Sequence, residues 1–413
     1  MFVHSVLGLG AFAALAWLLS ENRRRVSLRM VLTGLGLQVA VGAVLLKIPA
    51  LQKGFLALNR VVVALEESTT AGAKVVFGFL AGGPLPYDEV VPGSSFILAF
   101  KGLPLILVMS ALSALLFYWK VLPVVVKGFS WALQRTMRIG GAEGLGVAAN
   151  IFVGMVEAPL LVRPYLASLT RSELFSLMTC GMATIAGTVM VLYASILGDV
   201  IPNALGHILT ASLISAPAAI TISKIMIPET RAPTAAELTA PDEASSSMDA
   251  ITKGTFQGIQ LLLSVVAMII VLVALVHLVN IVLGAVRAGG EPVTLQRLLG
   301  YVMAPVVWLM GIPWSESLTA GSLMGTKTVL NEFIAYIDLS QLGAGELGSR
   351  SRLILMYAMC GFANPGSLGI MIGGMGAMAA GRRSEIVALG FRSILAGTIA
   401  TCMTGAVVGM FVR

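Results

Sequence analysis

A chain of 413 residues that is 57% hydrophobic, only 11% charged and has a mean hydropathy of +0.93 is not a soluble domain, which could not bury so much apolar surface. Its net charge of +7 does not mark a nucleic-acid partner, because the basic residues are scattered at segment ends and do not cluster with aromatics. The expected solvent is the lipid bilayer, and no nucleic-acid partner is expected.

Crossing about 30 Å of hydrocarbon takes roughly 20 apolar residues. The first such run, 3–19, has no basic residue ahead of it and is followed by Arg23, Arg24 and Arg25, so it is expected to be a retained span and not a cleaved signal. A second run covers 30–46. Residues 48–83 mix apolar positions with Lys53, Arg60, Glu66, Glu67 and Lys74, as interfacial helices do. A Pro-rich loop, 87–95, leads into a third run at 102–119. Runs four and five cover 174–198 and 200–223. The long polar stretch 228–249 reads as a flexible cytoplasmic linker between halves, and runs six to eight follow at 254–286, 353–381 and 393–412. If the N-terminus is outside, Arg23 to Arg25, Arg29, Lys120, Lys127, Arg135, Arg138, Lys224, Arg231, Arg382 and Arg383 fall on the cytoplasmic side.

Two further stretches, 140–169 and 313–339, are apolar enough for the membrane but too interrupted to cross it. Such segments are re-entrant hairpins, since unwound backbone is tolerated in lipid only where protein or a cavity satisfies it. A repeat links them. Cys180 to Thr184 (CGMAT) matches Cys360 to Asn364 (CGFAN) 180 residues later, and each match follows a hairpin with one central acid, Glu157 and Glu332. The odd number of crossings between the halves inverts the second copy. The fold expected is therefore an all-α polytopic membrane protein, with eight transmembrane helices, two re-entrant helical hairpins in an inverted repeat, and interfacial helices. This is an architecture of secondary transporters, with the site near the midplane at the broken elements.

Glu157 is the sole charged residue from Gly144 to Val162. An acid at that depth is costly unless partnered and so marks function, the structural alternative being a pair with Arg163 or Lys327. Glu332, after Asn331, interrupts a second apolar stretch. Asn364, Pro365, Gly366 and Ser367 break the seventh run, where Pro365 removes a backbone donor. Thr184 to Gly187 is the equivalent break in the fourth run, and a hydroxyl beside freed carbonyls suits sodium, which takes hard oxygen ligands. Cys180, Cys360 and Cys402 lack metal or redox spacing, and His4, His207 and His277 are isolated. No phosphate loop or nucleophile elbow occurs, so no enzyme is expected. Read from residues alone, a channel lined by the two acids and a hydrolase using them as an acid pair stay open.

Four motifs, at 150–161 (NIFVGMVEAPLL), 180–187 (CGMATIAG), 329–336 (VLNEFIAY) and 360–370 (CGFANPGSLGI), resemble those of the concentrative nucleoside transporters. Over about 103–413 the chain looks like a bacterial, eight-span, sodium-coupled member. The resemblance implies nucleoside uptake, uridine-like in substrate, by a homotrimer in the cell inner membrane whose transport domains move by an elevator motion. Proton coupling is the alternative. It implies that Glu332, Asn364 and Ser367 hold the ribose, that Glu157 and Val156 face the base, and that Val189 and Phe362 give apolar contact. Sodium would sit on Asn150, Val153, Thr184 and Ile185. Scaffold spans would occupy 1–120, the first transport repeat 121–227, the linker and a scaffold span 228–287, and the second repeat 288–413. Relatives commonly carry Gln and Thr where this chain has Met155 and Val156, so polar readout of the base is expected to be weaker here.

Overall fold

Hydrocarbon offers the backbone no hydrogen bonds, so a chain within it must satisfy its own. A computed structural model describes residues 2–88, 95, 97–198, 200–235, 244–288, 290–343 and 345–412, side chains excepted at 49–59, 62, 288 and 291. Residues 89–94 of the expected loop and 236–243 of the expected linker lie outside the described residues. Among those described, the only sheet is a two-stranded antiparallel pair, Arg287–Ala288 with Glu291–Pro292. Everything else regular is helix.

The first helices are α1 (Phe2–Leu18), α2 (Leu28–Lys47), α3 (Pro49–Phe77), α4 (Leu98–Lys101) and α5 (Leu105–Tyr118). The next group comprises α6 (Val121–Met137), the pair α7 (Gly141–Asn150) and α8 (Glu157–Leu161), the pair α9 (Arg171–Ala183) and α10 (Gly187–Leu197), and α11 (Ala204–Met226). After the lone α12 (Ser247–Leu283) the same order returns. It runs α13 (Leu295–Leu309), the pair α14 (Ser317–Val329) and α15 (Glu332–Gln341), the pair α16 (Ser349–Met359) and α17 (Pro365–Met378), then α18 (Arg383–Phe411).

Six helical stretches among the described residues are long and apolar enough to cross a membrane. The expected first span is the shorter, 17-residue α1, and the expected seventh is divided between α16 and α17. Residues 49–77 do not form several interfacial helices but one, the 29-residue α3. Two helices, α6 and α13, were not expected. Each is amphipathic: α6 buries Val126, Ser130, Leu133 and Met137, and α13 buries Gly300, Ala304 and Val307, both at the three-and-four spacing of one helix face. Neither contains the unbroken apolar run that identifies a span.

Burial separates centre from periphery. The stretches Arg171–Leu197, Ala204–Met226 and Ala380–Phe411 are each 83% buried over their most apolar window, whereas the most apolar helix, Ser247–Leu283, is 6% buried. α12 instead packs along α5 through Gly254 and Gly258, one helical turn apart. A Cβ at Gly254 would lie 2.7 Å from Ala114 Cβ and from the Ser110 carbonyl, and one at Gly258 would lie 3.0 Å from Ser110 Cβ. Small residues at this spacing let two backbones approach where lipid supplies no hydrophobic drive.

Basic residues anchor both faces. On one, Glu21 pairs with Arg171 at 2.9 Å and with Arg392 at 2.5 Å, its N–H donates to the Met226 carbonyl at 2.8 Å, and Arg382 donates to the Leu166 and Leu169 carbonyls. Hydrogen bonding from Arg171, aided by Arg392, holds the Glu21 carboxyl below the usual carboxylate range. On the other, Arg350 donates to the carbonyls of Gly311, Gly409 and Val412, joining the end of α18 to the turn after α13. The segments expected on the cytoplasmic side, near Arg23, Lys224 and Arg382, gather on the Glu21 face.

Gly254→Leu is expected to lower the thermal midpoint in detergent by several degrees, overpacking costing about 1–3 kcal/mol. Gly36→Ala, where a Cβ meets open space, should leave it unchanged; scanning fluorimetry on both checks the contrast.

Candidate functional site

Two helix breaks, α9–α10 and α16–α17, and two helical hairpins, α7–α8 (hairpin 1) and α14–α15 (hairpin 2), build the site. In the second half, Asn364 caps α17: its Oδ1 accepts from the Ser367 N–H at 2.8 Å, and Pro365 occupies the first helical turn, where a missing N–H costs nothing. In hairpin 2, Asn331 caps α15 in the same way, accepting from the Ile334 N–H at 2.9 Å, so that Glu332 opens the helix. A carboxylate in a first turn is favoured by the helix dipole.

These two caps meet. The Asn364 amide donates to Glu332 Oε2 at 3.0 Å, and the Tyr193 hydroxyl, from α10, donates to Oε1 at 2.7 Å. All three residues are buried. The Tyr193 ring lies 5.2 Å from that of Tyr336 and 6.1 Å from that of Phe333, both on α15. Lys327, near the end of α14, is fully buried, and its ammonium has no hydrogen-bond partner among the described residues. Ser367 lies buried one turn into α17, Val189 is buried one turn before Tyr193 on the same face of α10, and Phe362 is half-buried within the break.

Glu157 opens α8, on the far side of the hairpin 1 loop. It is exposed to a cavity of about 680 Å³ whose walls include Ser110, Lys120, Lys127, Thr188, Lys253 and Gln257. Neither Arg163 nor Lys327 forms an ion pair with it among the described residues. The carboxylate folds over Gly154, where a Cβ would strike Oε2. Met155 and Val156 turn the other way. A Cβ on Gly181 would lie 2.9 Å from Met155 Cβ and 3.1 Å from Met371 Cε, and one on Gly374 would lie 2.8 Å from Val156 Cγ1. Both apolar residues thus pack the hairpin loop against α9 and α17 and are absent from the cavity wall. The structure brings Glu332, Asn364 and Ser367 together, and Glu157 faces the cavity.

The oxygens expected to take sodium flank a third junction. The Gly187 N–H donates to the Phe152 carbonyl at 3.0 Å, tying the hairpin 1 loop to the break between α9 and α10. On the hairpin side Asn150 is buried, with its amide N–H on the Gly146 carbonyl at 3.1 Å and its Oδ1 without a partner, and Val153 is buried nearby in sequence. On the break side Thr184 is extended and its hydroxyl donates to the Cys180 carbonyl at 2.9 Å, which leaves its oxygen free to accept; Ile185 is fully buried. A buried amide oxygen lacking a donor, beside interrupted helix, fits a hard cation of sodium's kind.

Sequence reading missed Tyr193. Its signal is a phenol four residues beyond Val189 in an apolar helix, since a buried tyrosine hydroxyl must find a partner. It also weighed Lys327 only as a partner for Glu157.

Comparison with known proteins gives the same class. Family models described as Na+ dependent nucleoside transporter C-terminus, Na+ dependent nucleoside transporter N-terminus and nucleoside recognition Gate match residues 207–409, 7–80 and 99–200. The chain is 40% identical to the uncharacterized transporter YutK of Bacillus subtilis, over 98% of both chains. It is 33% identical to the nucleoside permease NupC of Helicobacter pylori, over 99% of this chain and 97% of that one. Its fold is similar to that of CNTnw in an inward-facing substrate-bound state, with a TM-score of 0.90, 34% identity, and coverage of 99% and 98%. The chain belongs to the concentrative nucleoside transporter family: it is a membrane transporter of nucleosides, not an enzyme, and sodium is the coupled ion.

Asn364→Ala removes both the cap of α17 and a donor to Glu332, whereas Asn331→Ala removes only a cap. The first is expected to cost about 2–4 kcal/mol and the second about 1 kcal/mol, read as the difference in denaturation midpoints of the two purified variants.

Proposed function

We propose that this chain imports nucleosides across the cell inner membrane, driven by an inward sodium gradient, as a homotrimer whose transport domains move by an elevator motion. The observation that carries the reading is the buried Glu332 carboxylate at the meeting of two helix caps. A carboxylate only accepts hydrogen bonds and a ribose diol donates them, so this group, with Asn364 and Ser367, suits the sugar. Glu157 faces the base from the cavity side, with Val189 and Phe362 as apolar contacts. Met155 and Val156 then shape the hairpin loop and leave base readout to Glu157. For a uridine-like base this leaves one acid where a donor and an acceptor are wanted.

Sodium on Asn150, Val153, Thr184 and Ile185 would bind at the junction of hairpin 1 with the α9–α10 break. Filling the Asn150 Oδ1 acceptor position would stiffen the loop that carries Glu157, which is a physical route from ion binding to substrate affinity. The fold reading is eight spans with two re-entrant hairpins, α7–α8 and α14–α15, in an inverted repeat, because the order of elements from α6 to α11 recurs from α13 to α18. Residues 1–120 and 228–287 are then mainly scaffold, and 121–227 and 288–413 the moving unit. The Glu157 cavity lies between them, bounded by α5 and α12, with Lys120, Lys127 and Lys253 on its walls. By the bias of basic residues toward the cytoplasm, that wall marks an inward-open arrangement.

Purified protein in proteoliposomes is expected to concentrate uridine only with an inward sodium gradient. Accumulation driven by protons alone would replace sodium coupling with proton coupling, and conductance without accumulation would replace the transporter with a channel. Asn150→Ala should raise the sodium concentration for half-maximal uptake about tenfold or more, one lost charge-assisted ligand being worth about 1.5–3 kcal/mol. An unchanged sodium dependence in that variant would remove Asn150 from the ion site.

A further inference from the structure

We infer that a second cavity, between α2, the end of α6 and the end of α11, holds the phosphate of an anionic membrane phospholipid. It has a volume of about 310 Å³, and its charged walls are Arg25, Arg29, Arg138, Lys224, Glu143 and Glu229. The two acids are already matched, since the Lys224 ammonium lies 3.0 Å from Glu143 and 3.3 Å from Glu229. The three arginines are not. All three are exposed, and none of their guanidinium groups makes a hydrogen bond or ion pair among the described residues. A guanidinium is a planar, permanently charged fork that meets phosphate oxygens two at a time. Three of them around one cavity, with no carboxylate left to oppose them, call for a ligand of net negative charge.

Ordinary roles do not account for the grouping. Arg25 and Arg29 fit the cytoplasmic bias of basic residues, and Arg138 follows the end of α6, where a cation suits the helix dipole. Those roles ask for charge on one side of the membrane, not for three arginines on one cavity. Arg138 also has a φ of 55°, the left-handed conformation for which glycine or asparagine is the usual helix end, so the turn itself does not call for arginine. The remaining wall fits a phosphate that carries acyl chains. Val26, Met30 and Ile139, all half-buried, line the cavity beside the arginines. Further along α2 the helices close at Gly34, where a Cβ would lie 3.1 Å from Met137 Cε and would strike the Thr221 hydroxyl, so there is room for a headgroup but not for a chain between them. On the outside of α2, Leu28 and Leu32 are 70% and 60% exposed and stand one turn apart, a track along which a chain can lie. Basic pockets between membrane helices on the cytoplasmic side suit anionic headgroups. One phosphate here ties α2 to α6, whatever solute the chain carries.

The test reads binding and needs no transport, so it stands apart from the nucleoside reading. Scanning fluorimetry of the purified chain in detergent is run with dioctanoyl phosphatidylglycerol, dioctanoyl phosphatidylcholine or inorganic phosphate. The proteins compared are the wild type, the double variant Arg29→Gln with Arg138→Gln, and Arg135→Gln, which removes an exposed arginine of α6 that is off the cavity wall. Phosphatidylglycerol should raise the wild-type midpoint by several degrees in a saturable way, and the other two ligands should raise it little, because a ligand stabilises the state that binds it. The double variant should need about tenfold or more phosphatidylglycerol for the same rise, having lost two charge-assisted partners, and Arg135→Gln should respond as the wild type does. An equal response to phosphatidylcholine, an equal loss in Arg135→Gln, or a double variant that responds like the wild type would each overturn the inference. A matching rise with inorganic phosphate would overturn the lipid as occupant in favour of a soluble phosphate compound. Should the double variant not assemble, a photoreactive phosphatidylglycerol on the wild type decides: crosslinks within 25–33 and 136–140 uphold the site, and crosslinks confined to other segments overturn it.

Discussion

The structure depends on the cost of interrupting a helix inside hydrocarbon. Each interruption frees carbonyl and N–H groups that lipid cannot satisfy. Here the interruptions are brought together, so that each supplies partners to another. The Gly187 N–H of one break takes the Phe152 carbonyl of one hairpin loop, and Asn364 of the other break reaches the Glu332 carboxylate of the other hairpin. The unpaired backbone that would destabilise a span becomes the wall of a site. Groups left over after this mutual satisfaction, above all Asn150 Oδ1, are where an ion has something to offer.

Much of this was legible in the sequence because the signals are local. Glu157 and Glu332 stand out as single acids in apolar stretches, and an Asn-Pro-Gly-Ser run in an apolar segment breaks a helix whatever surrounds it. The repeat was legible for the same reason, from the five residues that begin at Cys180 and at Cys360. What was not legible depends on the third dimension. The helices α6 and α13 lack a span-length apolar run and declare themselves only through the face they bury. Tyr193 looks like any aromatic in an apolar helix until α15 is packed against it. The orientation of Met155 and Val156 was also hidden. Their chemistry was evident, but Gly181 and Gly374, distant in sequence, provide the space that draws them away from the cavity.

The two acids therefore have unlike surroundings despite their matched places in the repeat. Glu332 is enclosed, with both oxygens engaged by neutral donors, which fixes its direction as well as its position. Glu157 faces a cavity of about 680 Å³, forms no ion pair among the described residues, and folds over the bare backbone of Gly154. A rigid acid suits a constant feature of a substrate, and a freer one suits a feature that varies. Sugar and base stand in that relation in a nucleoside.

The length of α12 has a further effect. At 1.5 Å per residue its 37 residues extend about 55 Å, well beyond the roughly 30 Å of hydrocarbon. Its first turns carry Asp249 and Lys253 as an ion pair at 3.1 Å, so the surplus extends into the aqueous layer on that side. Lys253 and Gln257 of these same turns line the cavity that Glu157 faces. The helix thus gives the cavity a polar lip beyond its own apolar stretch, and on the proposed inward-open reading a released solute leaves over Lys253 and Gln257 instead of over apolar side chains.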